Sequence, residues 1–355
     1  MKKLFTSALL VVAALASPAF ASVLRVNNTP GVNAPYSTFA AAQTAAVAGD
    51  VIQLEPSNTS YGALTVTKAV TIMGPGYLLG TGQNTGLQYT ALEASTGAVN
   101  FNAGSSGARI TGLRILGDVT VNVSTITVER NIFWSQDYSA GYGVSMVGGA
   151  APGISDVFVR GNIIGTMSGS GVVHNFNIAN NIFRGGFSFS LPNTMDGLLT
   201  HNIFNYAAPS YYATTTITIN NSLVTNNIAY VSYSPPYGQG ALGFSGAVAN
   251  NNTYTNNIGS STQFPNNGLA NINNQQNVTI SSVLVMTGSD DAYYALKPSP
   301  SPGRGNGTGG ADIGIFGGSQ PYMLSGIPNS PTIYNLNSNV SGTNLNVTLG
   351  TKSNN

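Results

Sequence analysis

Asn131-Ile132-Phe133, Asn162-Ile163-Ile164, Asn181-Ile182-Phe183, Asn202-Ile203-Phe204, Asn227-Ile228-Ala229 and, more loosely, Asn252-Thr253-Tyr254 repeat one short motif six times, with spacings of 31, 19, 21, 25 and 25 residues. Three positions before each asparagine stands an apolar residue: Val128, Val159, Ile178, Leu199, Val224 and Ala249. A fixed column with variable spacing is the mark of a stacked unit of about 20 to 25 residues whose length differences are taken up in outer loops. The unit is too short for a propeller blade and is rich in Val, Ile, Thr and Phe, which predicts a strand-based solenoid. Asparagine suits such a column because it tolerates left-handed backbone at a turn, and because stacked amides can hydrogen-bond along the axis. Roughly 270 residues at about 22 per coil make about 12 coils, a rod of nearly 60 Å at about 4.8 Å per coil.

Charge narrows the functions open to such a rod. The 355 residues include 12 Lys+Arg and 11 Asp+Glu, a formal net charge of +1, far below the usual quarter of charged residues. No basic face is available to neutralise phosphates, so nucleic acid is excluded as a partner. Glycine (43) and asparagine (41) supply many turns, while a hydrophobic content of 42% is enough for folding. The absence of cysteine excludes thiolate metal sites, disulfides and a lipid anchor on Cys. Lys2 and Lys3, the apolar run Leu9 to Leu15 and the small-residue stretch Pro18-Ala19-Phe20-Ala21 read as a signal peptide over residues 1–21, giving a mature start at Ser22. Beyond it no apolar run reaches about 18 residues, so no transmembrane helix is expected in the mature chain. The expected location is secreted or cell-surface.

The segment from Tyr36-Ser37-Thr38-Phe39-Ala40 through Gly49-Asp50-Val51-Ile52-Gln53-Leu54, followed by Val66 to Gly76, resembles the first coils of a right-handed parallel β-helix of the pectin-lyase-like superfamily. Tyr294 to Gly303 and Gly310-Ala311-Asp312-Ile313-Gly314-Ile315-Phe316-Gly317-Gly318 are similar to the last coil of secreted bacterial members. The resemblance implies an all-β chain: one right-handed parallel β-helix over residues 22–318, with a capping helix over residues 37–48. Residues 259–318 are read as closing coils. Residues 319–355 read as a linker and a C-terminal hairpin, a cap or an attachment element. The superfamily holds lyases, hydrolases, epimerases, tailspikes and adhesins, so the resemblance leaves activity open.

The ionisable groups of the ladder region are few: Glu129, Arg130, Asp137, Asp156, Arg160, His174, Arg184, Asp196 and His201. Glu129 and Arg160 fall at equivalent positions of neighbouring coils and read as a solvated ion pair. His201 shares its column with Arg130, Asn180 and Asn226 and reads as a turn histidine. Asp290-Asp291 read as solvated carboxylates, and Gly303 to Gly310 as a turn without phosphate-loop chemistry. No catalytic motif of the superfamily matches residue by residue, so no catalytic residue is assigned, and no metal site or cofactor is expected. The richer signal is aromatic. Trp134, Tyr138 and Tyr142, then Tyr206, Tyr211 and Tyr212, then Tyr230, Tyr233 and Tyr237 follow the ladder motif in successive coils and are expected on one face of the rod. Flat rings with polar rims suit stacking on sugars; packing on one another is the structural alternative. The expected function is a binding or structural role toward a neutral glycan or a neighbouring cell-surface protein. The alternative is a polysaccharide-degrading lyase or glycoside hydrolase.

Overall fold

The computed structural model describes residues 21–80, 88–133, 141–207, 214–232, 241–244, 251–265, 271–327 and 331–352. It is a parallel β-helix. Among the described residues, one sheet contains 11 parallel strands, from Val23–Val26 to Asn271–Ile272, one for each coil, and a second contains 14. In the middle coils a short third sheet, formed by Ile154–Ser155, Val173–His174 and Thr194–Met195, follows second-sheet strands and precedes first-sheet strands along the chain.

The apolar column lies where its spacing predicts. Val128 pairs with Val159, Val159 with Ile178, Ile178 with Leu199 and Leu199 with Val224, and all five are fully buried. Opposite them, Ile164, Phe183 and Phe204 of the second sheet fill the interior, Phe183 and Phe204 stacked at 4.8 Å. The first coil is capped as expected by a helix, α1 (Phe39–Ala45), shorter than the predicted span. Thr38 Oγ1 accepts from Ala41 N–H at its start, and Phe39 and Ala42 plug the core. Beside it, the buried Asp50 carboxylate accepts from the backbone N–H groups of Ser22 and Val47, each at 2.8 Å. Those two donors hold its pKa below the usual carboxylate range.

The asparagine column is a continuous ladder of amides, buried from Asn131 to Asn257 and half-buried at Asn274. Asn131, Asn162, Asn181, Asn202, Asn227, Asn257 and Asn274 are linked by Nδ2 to Oδ1 bonds of 2.8–3.2 Å. Each Oδ1 from Asn162 onward also accepts the backbone N–H of the preceding rung. Two details differ from the expectation. The left-handed residue is not the ladder asparagine but the one before it: Arg130, Gly161, Asn180, His201, Asn226, Asn256 and Asn273 have φ between 52° and 63°. The sixth rung is Asn257, since Ile228 pairs with Ile258 and Val224 with Tyr254; Ala249 lies outside the described residues. The source of the slip is a local duplication. Asn251-Asn252 opens that first-sheet strand and Asn256-Asn257 closes it, each pair beginning with a left-handed asparagine.

The isoleucine that follows each asparagine points away from the solenoid core. Ile132, Ile163, Ile182, Ile203, Ile228 and Ile258 are nevertheless buried, in a second apolar cluster with Val283, Leu284, Leu296, Ile313, Ile315 and Tyr322. Residues 278–327 therefore do not add closing coils; they fold back over the outside as a strap. Gly314 N–H donates to the Asn226 carbonyl, Asn180 Nδ2 to those of Ile315 and Gly317, and Arg160 to Gln320 Oε1. Tyr322 Oη reaches Tyr77 Oη at 2.9 Å, and Arg130 donates to the Ile327 carbonyl. The strap thus runs antiparallel to the growth of the coils. Gly318 lets it pass over the His201 ring, where an added Cβ would sit 3.1 Å from Cε1.

Beyond the strap, Thr332–Ser341 and Asn344–Lys352 form an antiparallel hairpin. One face pairs Leu336 with Leu349, Ser338 with Val347 and Val340 with Leu345; the other pairs Asn337 with Thr348, Asn339 with Asn346 and Ser341 with Asn344. Val340 is 75% exposed and Leu345 66%.

Candidate functional site

The aromatic set divides once it is placed. Trp134, Tyr138, Tyr211, Tyr212, Tyr233 and Tyr237 lie outside the described residues. Tyr142 is half-buried against the main core. Tyr206 is a core residue, 4% exposed, edge-on to Phe187 at 5.6 Å. Tyr230, 2% exposed, belongs to the outer cluster under the strap. The expectation that these rings emerge together therefore fails for Tyr206 and Tyr230. Their strands pair Asn205 with Tyr230 and Tyr206 with Val231, and a one-residue offset in a strand sends a side chain to the opposite face. Neither ring is available to stack on a sugar in this fold.

The same register builds a polar column on the outer face of the second sheet. Arg184 pairs with Asn205 and Asn205 with Tyr230, so three coils contribute one side chain each. The strap supplies the facing wall. Ser289, Asp290, Tyr293 and Tyr294 sit across from Arg184, Asn205 and Ala207, and a groove of about 370 Å³ lies between them. Arg184 Nη1 and Asp290 Oδ1 are 3.7 Å apart, and Asn205 Nδ2 donates to Tyr294 Oη at 3.1 Å. Asn205 Oδ1 and Tyr230 Oη are buried with no hydrogen-bond partner. Burial, the largest effect on both phenols, raises the pKa of Tyr230 and Tyr294, so neither supplies a phenolate near neutral pH.

The other ionisable groups have structural roles where they are described. Glu129 is not a solvated partner: it is 4% exposed and takes hydrogen bonds from Arg109 and from Arg160 Nε, the latter at 2.6 Å. Asp291 is fully buried, not solvated, and accepts from Ser325 N–H at 2.5 Å and Tyr322 Oη at 3.3 Å. His201 does occupy the left-handed column with Arg130, Asn180 and Asn226; its Nδ1 bonds Thr200 Oγ1 at 2.7 Å and its Nε2 is buried without a partner. Burial lowers its pKa to about 4. Among the described residues no three His, Asp or Glu side chains converge as metal ligands, and no helix is long and apolar enough to cross a membrane. Asn205, Tyr293 and Tyr294 carried no sequence signal as a site. They meet only because the strap returns to a coil formed some 90 residues earlier.

No protein-family model matches this sequence, and no curated protein matches it either. The functional reading rests on geometry.

Proposed function

We propose that the protein is a secreted or cell-surface β-helix whose role is binding, and that the groove between Arg184, Asn205 and the strap holds a neutral glycan. The observation that carries this reading is Asn205. Asn205 lines the groove, and its Oδ1 is buried without a partner; an unpaired buried acceptor costs about 1–3 kcal/mol, which a sugar hydroxyl would relieve once a small side-chain rotation opens that oxygen to the groove. The opposed charges of Arg184 and Asp290 leave the groove close to neutral, and the half-buried Tyr293 offers a ring. Ala207, a groove residue, leads directly into the segment bearing Tyr211 and Tyr212. Those two, with Trp134, Tyr138, Tyr142, Tyr233 and Tyr237, remain part of the proposed aromatic surface.

The alternative, a polysaccharide lyase or glycoside hydrolase of the pectin-lyase-like superfamily, finds less support in the groove. Hydrolysis by acid and base uses two carboxylates, and the described lining holds one, Asp290. Kinship with that superfamily stays part of the proposal, supported by the amide ladder and the capping helix. The test is a glycan array probed with the chain from Ser22 onward and with its Asn205→Ala and Tyr293→Ala variants. Neutral glycans should bind the parent, and both variants should lose at least tenfold in affinity with unchanged thermal midpoints. Binding that ignores both substitutions refutes the groove. Release of unsaturated sugar from pectate or alginate, stopped by Arg160→Ala or Arg184→Ala, would install the enzymatic reading instead.

A further inference from the structure

A second cleft, between the first sheet and the strap, is cationic where the first groove is close to neutral. Arg109, Glu129 and Arg160 come from three consecutive first-sheet strands. Both oxygens of Glu129 are already occupied, one by Arg109 Nη2 and one by Arg160 Nε. Next to Glu129, Arg130 gives Nη2 to the Ile327 carbonyl, while its Nη1 is buried without a partner, as is Arg109 Nε. Among the described residues, Glu129 pairs with Arg109 and Arg160 while Arg130 lies beside it, a local excess of positive charge in a chain with only 12 basic residues. The Asp291 carboxylate is engaged elsewhere on the strap, by Tyr322 Oη and the Ser325 N–H.

The cleft beside this cluster measures about 340 Å³; Glu129, Arg130 and Arg160 line one wall, and Gln320, Pro321, Tyr322 and Met323 of the strap line the other. That volume lies at the lower end of small-molecule sites. One wall is cationic and planar in its donors, which suits a carboxylate; guanidinium–carboxylate pairs are the strong, directional kind. Apart from Gln320, whose Oε1 is taken by Arg160, the other wall is mostly apolar, which disfavours a small, fully hydrated anion and favours a ring or hydrocarbon body. We propose that this cleft is a binding site for a small carboxylate carrying an aromatic or alicyclic ring, its carboxylate on Arg160 with the buried Arg130 charge behind it, and its ring against Tyr322 and Met323.

The proposal is independent of the glycan groove and is tested with simple probes. Benzoate, benzamide and acetate are titrated into the protein at low ionic strength, followed by calorimetry and by ligand-observed NMR. Benzoate should saturate. Benzamide, which lacks the charge, and acetate, which lacks the ring, should each bind at least tenfold more weakly. Arg160→Gln should weaken benzoate at least tenfold. Should that variant disturb folding by loosening Glu129, Met323→Glu serves in its place: Met323 is 38% exposed, and a carboxylate there should repel benzoate by a similar factor without moving the thermal midpoint. Absence of saturable benzoate binding, equal binding of benzamide, or benzoate affinity unchanged in Met323→Glu each overturns the proposal.

Discussion

At each middle coil the chain turns on two adjacent residues with divided labour. The first adopts left-handed backbone and the second, asparagine, spends its side chain on the coils above and below. Asn202 shows how much rests on one amide: Oδ1 accepts from Asn181 N–H and Nδ2, and its own Nδ2 reaches Ile178 O, Thr200 O and Asn227 Oδ1, all within 3.0 Å. Asn202→Ala should cost about 3 kcal/mol or more, because several buried groups lose partners together; urea denaturation measures it, and a loss under about 1 kcal/mol would contradict the ladder's role. In the preceding position, His201 couples the turn to pH. Burial depresses its pKa from the ordinary 6.5 to about 4, so below pH 6.5 the unfolded chain takes up a proton that the folded chain refuses. Stability is fully present above about pH 6.5 and falls as pH drops toward 4, by up to about 3 kcal/mol. His201→Asn, which copies Asn180 and Asn226 of the same column, should flatten the slope of denaturation midpoint between pH 7 and 4. An unchanged slope would assign the pH dependence to other groups.

Among the elements, the strap changes the meaning of a pattern. In a bare solenoid the residue after each ladder asparagine faces water; here six isoleucines are buried on the outside because residues 278–327 lie over them. Ile228→Asp should therefore destabilise as severely as Leu199→Asp in the inner column, by more than about 4 kcal/mol each, whereas an uncovered Ile228 would tolerate the change. Gly314→Ala probes the same contact from the strap: φ is +91° and an added Cβ would meet Ile228 Cδ1 at 2.8 Å, so a marked drop in the midpoint is expected. The inner column and the ladder were legible in the sequence because they repeat once per coil. The strap was not, since the sequence says that Ile132 to Ile258 are apolar but not which distant segment covers them. The aromatic face failed for a related reason. Tyr206 and Tyr230 follow their asparagines by four and three residues, a difference invisible in a list of loops and decisive in a strand. Asn205 and Tyr294 were out of reach altogether, as their meeting depends on the strap's path.

As a whole molecule the protein is a rod with a covered flank and an uncovered hairpin. Thr332–Lys352 has an apolar face with Val340, Leu345, Val347 and Leu349 more than half exposed, and it is tied to the solenoid by Tyr89 N–H donating to the Ile333 carbonyl. A two-stranded hairpin is marginal alone, so a chain ending at Pro331 should keep its denaturation midpoint and bind less of a hydrophobic dye. A cooperative loss of stability would show that the hairpin is part of the folded core.

Asp50 offers a way for export to mark the fold. Its carboxylate lies 2.8 Å from the nitrogen of Ser22, the residue expected to follow the leader. If residues 1–21 are removed, a neutral amide N–H becomes an ammonium on a carboxylate that is already held ionised, and the cut itself would create an ion pair at the capped end. The processed chain should then resist denaturant better than the same chain with residues 1–21 attached. Salt should narrow that margin and Asp50→Asn should abolish it. Proteolytic removal of residues 1–21 would in that case act as an electrostatic latch on the first coil, closed only once the cut is made.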